Sequence, residues 1–150
     1  MTTDFSAILL AAGEGQRLRP ITASTPKCLV PINGVPILDI WIELLASQDG
    51  LKEIFINTSY LAGKVEEHIK NHKDRNKIFL IHEPELLGTA GTIKKLAGII
   101  KSEHIFIAHA DNLSKFDPEE FFSYHLKKPK DCNITMMTFD PDDSRSCGIV

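Results

Sequence analysis

The amino-acid sequence predicts an α/β fold in which three layers, α/β/α, are built around a mostly parallel sheet. Apolar runs of strand length alternate along the chain with stretches of helical periodicity, which is the pattern of consecutive βαβ units. The apolar runs are hydrophobic throughout rather than at every second residue, as expected of strands that helices cover on both faces. We therefore expect a Rossmann-like architecture, whose ligands bind beyond the carboxyl ends of the strands.

Strands and helices are predicted in a regular order. The apolar runs that predict strands are Phe5–Ala11, Glu53–Thr58, Lys77–His82, His104–Ala110 and Asn133–Phe139. The stretches that predict helices are Ile37–Ser47, Gly63–His72, Thr89–Ile100 and Pro118–Lys127. An apolar stripe in the first helix carries Ile37, Leu38, Ile42 and Leu45. Asp117 can cap the N-terminus of the fourth helix, with Pro118 in its first turn.

Length and composition are those of an ordinary globular domain. The chain has 150 residues, of which 43% are hydrophobic and 25% are charged. The net charge of −3 disfavours non-specific binding to nucleic acid or to an anionic membrane. We therefore predict no nucleic-acid partner and no membrane partner, and any function that needs positive charge must be local.

The cysteines and the N-terminus predict a cytoplasmic location. Cys28, Cys132 and Cys147 contain no C-x-x-C pair and suggest neither a zinc site nor a disulfide framework. The N-terminal apolar run is short and lacks a basic segment, so it resembles a first strand more than a signal peptide. No run of 18 apolar residues predicts a membrane span.

The loop after the first predicted strand combines glycines with basic residues. Gly13 and Gly15 can adopt positive φ and bring the backbone close to a ligand. A turn with inward-pointing N–H groups binds anions. The Arg17 guanidinium suits a phosphate group, and Lys27 adds a mobile positive charge. Together these residues predict a polyphosphate site.

Two better-known glycine motifs do not fit this loop. The P-loop pattern G-x-x-x-x-G-K-[ST] is absent. The dinucleotide fingerprint G-x-G-x-x-G would need a glycine at Leu18, and an acid where the second predicted strand ends at Asn57-Thr58. A plain turn with solvated basic residues is the remaining alternative, and the combination of Arg17, Lys27 and the strand-end position disfavours it.

The same loop resembles a family signature. Residues 10–22 read L-A-A-G-E-G-Q-R-L-R-P-I-T, and T-P-K follows at residues 25–27, as in the sugar-1-phosphate nucleotidyltransferases. The resemblance implies that this loop holds a nucleoside triphosphate and that Arg17 and Lys27 grip its phosphates. Cys28 stands where the family usually has proline. The nucleotide-binding residues that the resemblance implies here are Leu10, Ala11, Ala12, Gly13 and Gly15.

A second glycine-bearing stretch, H-E-P-E-L-L-G-T-A-G at residues 82–91, resembles a family element that approaches the nucleotide. It makes Gly88 and Thr89 predicted nucleotide contacts. Glu83 and Glu85 are candidate readers of the base, since a carboxylate accepts hydrogen bonds and guanine offers adjacent N1–H and N2–H₂ donors. The alternative, that either glutamate is a solvated loop residue, stays open.

Asp111 follows an apolar strand and is the predicted metal ligand. One carboxylate can hold Mg²⁺ when substrate phosphates complete the coordination. The resemblance implies the same role, although Ala110 replaces the glycine that usually precedes this aspartate. The alternative is that Asp111 caps a loop.

Other stretches resemble the family less decisively. The segment N-T-S-Y-L at residues 57–61 resembles a family stretch, with Tyr60 and Leu61 as core residues in the alternative interpretation. Residues 144–150, S-R-S-C-G-I-V, make Gly148 a predicted sugar contact. This segment also resembles the start of a further strand. We therefore expect residues 1–150 to form one nucleotide-binding domain that is incomplete at its C-terminus.

The predicted activity is Mg²⁺-dependent nucleotidyl transfer between a nucleoside triphosphate, with GTP favoured, and a sugar 1-phosphate. Arg17, Lys27 and Asp111 are its predicted catalytic residues. The alternatives are a nucleotide-binding or nucleotide-sugar-binding module without turnover and, with less support, an NAD-dependent oxidoreductase domain. A homo-oligomer is compatible with the sequence, which does not specify one.

Overall fold

The computed structural model describes residues 3–140, so the predicted sugar contact Gly148 lies outside the described residues. The chain divides into two compact units, Met1–Lys115 and Phe116–Val150. Each unit is described by itself below. The single nucleotide-binding domain over residues 1–150 stays a prediction.

The first unit contains a four-stranded parallel sheet. Its strands are β1 (Phe5–Leu10), β4 (Leu51–Thr58), β5 (Ile78–His82) and β6 (His104–His109), in the order β5-β4-β1-β6. All three pairings are parallel. The sheet is accompanied by α1 (Ile37–Ala46), α2 (Ala62–Lys70) and α3 (Gly88–Leu96). The predicted α/β fold with a mostly parallel sheet is therefore confirmed, as are four of the five predicted strands.

Helices cover both faces of this sheet. On one face, Trp41 of α1 packs against Phe106 of β6 with ring centroids 6.0 Å apart. On the other face, Leu96 of α3 packs with Ile8 of β1 and Phe55 of β4 in a buried apolar cluster. The strands are buried between these two layers, which explains why β1 is apolar along its whole length. The three-layer arrangement follows from this packing.

The strand order places a switch point beside β1. The chain runs from β1 to β4 and then to β5 on one side, and returns to the other side of β1 for β6. In open parallel sheets the ligand crevice forms at the carboxyl ends of the strands where the order reverses in this way. The segments that follow β1 and β6 are therefore the ones that the topology brings to a binding site.

A short hairpin interrupts the loop between β1 and α1. β2 (Pro31–Ile32) and β3 (Val35–Pro36) pair in antiparallel register. Asn33 and Gly34 connect them with φ values of 50° and 84°. The sequence analysis did not predict this hairpin, although Asn-Gly is a strong hairpin signal because both turn positions need positive φ.

The second unit contains α4 (Pro118–Leu126). The Asp117 side chain accepts hydrogen bonds from the N–H groups of Glu119, at 2.9 Å, and Glu120, at 3.2 Å, so the predicted N-cap is confirmed. The predicted strand Asn133–Phe139 is wrong, since these residues have no strand conformation. A strand needs a partner for its backbone groups, and the described part of this unit contains no other strand.

None of the helices in residues 3–140 combines the length and the hydropathy that a membrane span requires.

Candidate active site

The structure brings Lys27 and Asp111 together across the switch point. The Lys27 Nζ lies 2.6 Å from the Asp111 Oδ2, although 84 residues separate the two in sequence. Their side chains are 20% and 26% exposed, so the pair is shielded but still reachable from solvent. A predicted phosphate-binding lysine and a predicted metal ligand thus lie at one point, between the ends of β1 and β6.

Gly15 shapes the loop that carries Lys27. Its φ is 66°, and a Cβ there would lie 2.9 Å from the Thr22 Cγ2 and 3.0 Å from the Lys27 Cβ. The Thr22 hydroxyl donates to the Gly15 carbonyl at 2.7 Å. A larger residue would be strained in this conformation and would push Lys27 away. Gly15 therefore allows the loop to fold back on itself.

Gly13 differs from Gly15, and the expectation of positive φ at Gly13 is wrong. Only Gly15 of the pair has a left-handed backbone. A Cβ on Gly13 would meet nothing within 4 Å, so the space in front of this residue is open. Gly13 therefore contributes an exposed stretch of backbone without a side chain, next to the buried Ala12.

We call residues 11–27, which follow β1, the glycine loop. Side chains from the segment that follows β4 hold the rest of this loop. The Tyr60 hydroxyl donates to the carbonyl of Ala23 at 3.1 Å, and the Lys64 ammonium donates to the carbonyl of Ser24. Tyr60 is therefore more than a core residue. Arg17 lies on an exposed single turn of 3₁₀ helix, Gln16–Leu18, where its guanidinium is accessible. Hydrogen bonds therefore hold the loop at residues 23 and 24, while the Arg17 guanidinium remains at the surface.

Trp41 positions the loop that carries Asp111. The indole Nε1–H of this α1 residue donates to the carbonyl of Asn112 at 2.8 Å. The ring is buried against Phe106, so the donor is held firmly. From the sequence alone, Trp41 is expected to be a core residue of the first helix. A buried tryptophan needs a partner for its N–H, and that need was the available signal.

At the other end of the same sheet edge, the polar side chains are buried and bonded to one another. The Asn57 Oδ1 accepts from the backbone N–H of Ala11 at 2.7 Å, and the Asn57 Nδ2 donates to the Thr92 Oγ1 at 3.2 Å. The Thr92 hydroxyl donates to the Glu83 Oε1 at 2.6 Å. Asn57, Thr92 and Glu83 are each 4% exposed or less. No pattern in the sequence points to Thr92.

The two candidate base readers have different surroundings. Glu83 is 1% exposed, and its second carboxylate oxygen faces the N–H of Leu87 at 3.4 Å, just before α3 begins. Its charge therefore lies against the positive end of α3. Glu85 is exposed, as are Gly88 and Thr89. Glu85 is the carboxylate that faces solvent beside these predicted nucleotide contacts.

Cys28 lies buried beside the ion pair. Burial, together with the nearby charges of Asp111 and Asp39, raises the pKa of its thiol to about 12. The thiolate is the reactive form of cysteine, so Cys28 is an inert apolar side chain at neutral pH. It is the residue directly after Lys27 and belongs to the buried core.

His68 of α2 and His72, which follows this helix, do not form a metal site in the described residues. His68 Nε2 contacts the Asp39 Oδ1 at 2.6 Å, and His72 Nε2 lies 4.0 Å from the same oxygen. Within residues 3–140, no group of three or more histidine, cysteine, aspartate or glutamate side chains is placed to hold a metal ion. The pairing of His68 with Asp39 links α1 to α2.

Comparison with known proteins identifies the family. A model of the nucleotidyl transferase family matches residues 6–150. The mannose-1-phosphate guanylyltransferase catalytic subunit beta of Drosophila pseudoobscura pseudoobscura is 34% identical over 134 residues, which cover 87% of this chain and 36% of that protein. The mannose-1-phosphate guanylyltransferase of Mycobacterium tuberculosis is 29% identical over 150 residues, which cover 99% of this chain and 41% of that protein.

Solved structures agree with these relatives. HddC from Yersinia pseudotuberculosis, in complex with GMP-PN, is 30% identical and superimposes with a TM-score of 0.69 over 81% of this chain and 54% of that chain. The chain spans 36% to 41% of the length of the curated relatives just named, in their N-terminal part. The resemblance found in the sequence is thereby confirmed, and the chain belongs to the nucleotidyl transferase family.

Proposed function

We propose that this chain carries the nucleotide-binding half of a sugar-1-phosphate nucleotidyltransferase, whose substrates are a nucleoside triphosphate and a sugar 1-phosphate. The observation that carries the proposal is the contact of Lys27 with Asp111 at the switch point, beside the glycine loop. A phosphate-binding cation and a metal-binding carboxylate are the two groups that phosphoryl chemistry needs side by side. A cytoplasmic location, as the cysteine pattern predicts, belongs to the same proposal.

The reaction needs alignment and charge neutralisation more than a protein nucleophile. A phosphate oxygen of the sugar 1-phosphate attacks the α-phosphorus and forms a new P–O bond. The bond from the α-phosphorus to the bridging oxygen breaks, and that oxygen leaves with the β- and γ-phosphates as pyrophosphate. The attacking oxygen is already ionised, so no general base is required. Arg17 binds the departing phosphates, and Lys27 holds the phosphates near the reaction centre.

Asp111 suits a magnesium ion shared with substrate. Its carboxylate ends a strand and is 26% exposed, and its present partner is the mobile Lys27 ammonium. A single carboxylate is a common protein contribution to a Mg²⁺ site because phosphate oxygens and water supply the remaining ligands. Asp111 would hold the ion, which would supply positive charge to offset the charge that develops on the phosphates. Lys27 can then turn from Asp111 to the phosphates.

We further propose that guanine is the favoured base. We call residues 83–88 the base loop. Glu85 is the exposed carboxylate of this loop and can accept hydrogen bonds from the two adjacent donors of guanine. Glu83 is the second candidate, but its carboxylate is buried and accepts from the Thr92 hydroxyl, so we favour Glu85 as the reader of the base. The names of the mannose-1-phosphate guanylyltransferases and the GMP-PN bound to HddC support the same base.

Pyrophosphate release tests the activity. We expect the protein, in its longest natural form, to release pyrophosphate from GTP and Mg²⁺ when a suitable sugar 1-phosphate is present. Arg17→Ala should lower kcat/KM by about 10²-fold to 10³-fold. Arg19→Ala is the matched control, since Arg19 is an exposed arginine of the same loop and carries no predicted role. Absence of release with every nucleoside triphosphate and every sugar 1-phosphate would refute the proposal.

The alternative function is nucleotide binding without turnover. Such a module would use the same glycine loop and base loop to hold the nucleotide. A pure binding module with Arg17→Ala should lose nucleotide affinity, measured by calorimetry, and no pyrophosphate should appear in the wild-type assay. An enzyme should instead lose rate far more than affinity.

A further inference from the structure

We propose that Asn57 and Thr92 are positioning residues for the nucleoside, because they form a buried chain of hydrogen bonds that ties the glycine loop to the base loop. We call this chain, from the Ala11 N–H through Asn57 and Thr92 to Glu83, the polar relay. The inference rests on the proposed function, since it names the residues that hold the two nucleotide-facing loops in register.

The polar relay joins segments that are far apart in sequence. Leu10 of β1 pairs in register with Asn57 of β4. The Asn57 side chain therefore reaches the first amide beyond β1, the N–H of Ala11. From Asn57 the chain passes to Thr92, one turn into α3, and then to Glu83, directly after β5. Three segments that end or begin at the binding edge are thus fixed to β4.

The direction of every hydrogen bond in the relay is fixed. The backbone N–H of Ala11 can only donate, so the amide oxygen of Asn57 must face it. The amide nitrogen of Asn57 then donates to the Thr92 hydroxyl, and that hydroxyl donates to Glu83. All donors point toward the carboxylate. The Thr92 Oγ1 is the one side-chain atom of the relay that both accepts and donates, so the relay breaks in the middle when this hydroxyl is removed.

Burial makes this break costly and local. Asn57, Thr92 and Glu83 are 4% exposed or less, so water cannot replace the lost partners. Valine has nearly the shape of threonine and would leave the Asn57 amide hydrogen and the Glu83 Oε1 unpaired. The Ala11 peptide and the residue 83–88 loop would then lose their common support. None of the relay hydrogen bonds involves Arg17, Lys27 or Asp111.

This separation gives a specific expectation for the two halves of the ligand. Binding of the nucleoside half should depend on the relay, because Ala11 is a predicted nucleotide contact and the base loop carries the proposed reader of the base. Binding of the phosphate half should not, because Arg17 and Lys27 lie outside the relay. A merely structural role would weaken both halves together.

The experiment compares GTP with inorganic tripolyphosphate as probes of the 150-residue chain, by calorimetry. Thr92→Val should raise the Kd for GTP about fivefold to twentyfold and leave the Kd for tripolyphosphate within about twofold. Thr92→Ser keeps the hydroxyl and is the matched control, with both Kd values within about twofold of the wild type. Thr92→Cys keeps the volume with a weaker donor and serves as the second variant where valine does not fold.

The outcomes separate this inference from the proposed function. GTP affinity that is unchanged in Thr92→Val, or lost in parallel with tripolyphosphate affinity, would overturn the positioning role while the function stands. A loss in Thr92→Ser as large as that in Thr92→Val would overturn it too, since the hydroxyl would not be the cause. A wild-type chain that binds GTP no more tightly than tripolyphosphate would overturn both.

Discussion

The two ends of one sheet edge use polar side chains in opposite ways. Beyond β1 and β6, Lys27 and Asp111 are charged, partly exposed and paired with each other. Beyond β4 and β5, Asn57 and Glu83 are buried and bonded through the hydroxyl of Thr92. The first end has charges that can exchange partners, and the second has donors and acceptors that are already satisfied.

The two ends also differ in how easily their contacts can open. An ion pair of 20% and 26% exposed side chains can open at modest cost, because solvent and an incoming phosphate or metal replace each partner. A buried hydrogen-bond chain cannot open without leaving unpaired groups in a region that water does not reach. The charged end is therefore suited to chemistry, and the polar end is suited to holding loops in register.

Removing the carboxylate of the charged end should have the largest effect. Asp111→Asn keeps the size of the side chain but removes the negative charge that we propose holds Mg²⁺. We expect kcat for pyrophosphate release to fall by about 10²-fold to 10⁴-fold, with a higher Mg²⁺ requirement. Affinity for nucleotide without metal should be kept, because Lys27 is then free. Asp49→Asn, at an exposed aspartate elsewhere, is the control, and equal activity of the two variants would contradict the metal role.

At the polar end, the corresponding test concerns stability. Glu83→Ala leaves the Thr92 hydroxyl without its acceptor and the start of α3 without its anion. We expect the free energy of unfolding, from urea titration, to fall by about 1–3 kcal/mol. Glu85→Ala, two residues away and exposed, should change it by less than about 0.5 kcal/mol. If the two variants were equally stable, the buried hydrogen bonds of Glu83 would contribute nothing to stability, and the polar end would not be held in place by them.

The sequence predicts the sheet well and places Lys27 and Asp111 after strands, because both features leave local signals. Continuous apolar runs identify β1 and β4, and the position of Asp111 after such a run indicates a strand-end ligand. The contact of Lys27 with Asp111 spans 84 residues, and the parallel sheet that the sequence predicts brings these distant residues to one edge.

The polar end is less visible in the sequence because its partners are set by register. Asn57 reaches Ala11 since Leu10 and Asn57 are paired neighbours, and nothing in either segment encodes that pairing. Thr92 resembles any threonine of a helix until α3 is placed over Glu83. The strand predicted at residues 133–139 failed for a related reason, because an apolar run specifies a strand only where a partner strand is available.

Trp41 lies between these extremes, since it is buried but serves the charged end. Trp41→Phe keeps an aromatic ring against Phe106 and removes the donor to the Asn112 carbonyl. We expect a loss of about 1 kcal/mol in the free energy of unfolding and a severalfold rise in the Mg²⁺ concentration for half-maximal activity. Tyr60→Phe, which removes a hydroxyl donor to the Ala23 carbonyl in another loop, is the control and should leave the Mg²⁺ dependence unchanged. A Mg²⁺ dependence that is unaffected in Trp41→Phe would assign the tryptophan to the core alone.

The smallest effect is expected at Cys28. This residue tests whether solvent reaches the buried side chains next to Lys27. Burial raises the pKa of this thiol to about 12, so the thiolate fraction at pH 8 is about 10⁻⁴. Iodoacetamide at pH 8 should therefore modify the exposed Cys132 and spare Cys28, as measured by peptide mass spectrometry. Nucleotide binding should be unchanged by the treatment. Rapid labelling of Cys28 would mean that solvent reaches this buried residue next to Lys27. The backbone around Lys27 would then open, and the motion would not be limited to the charged side chains of Lys27 and Asp111.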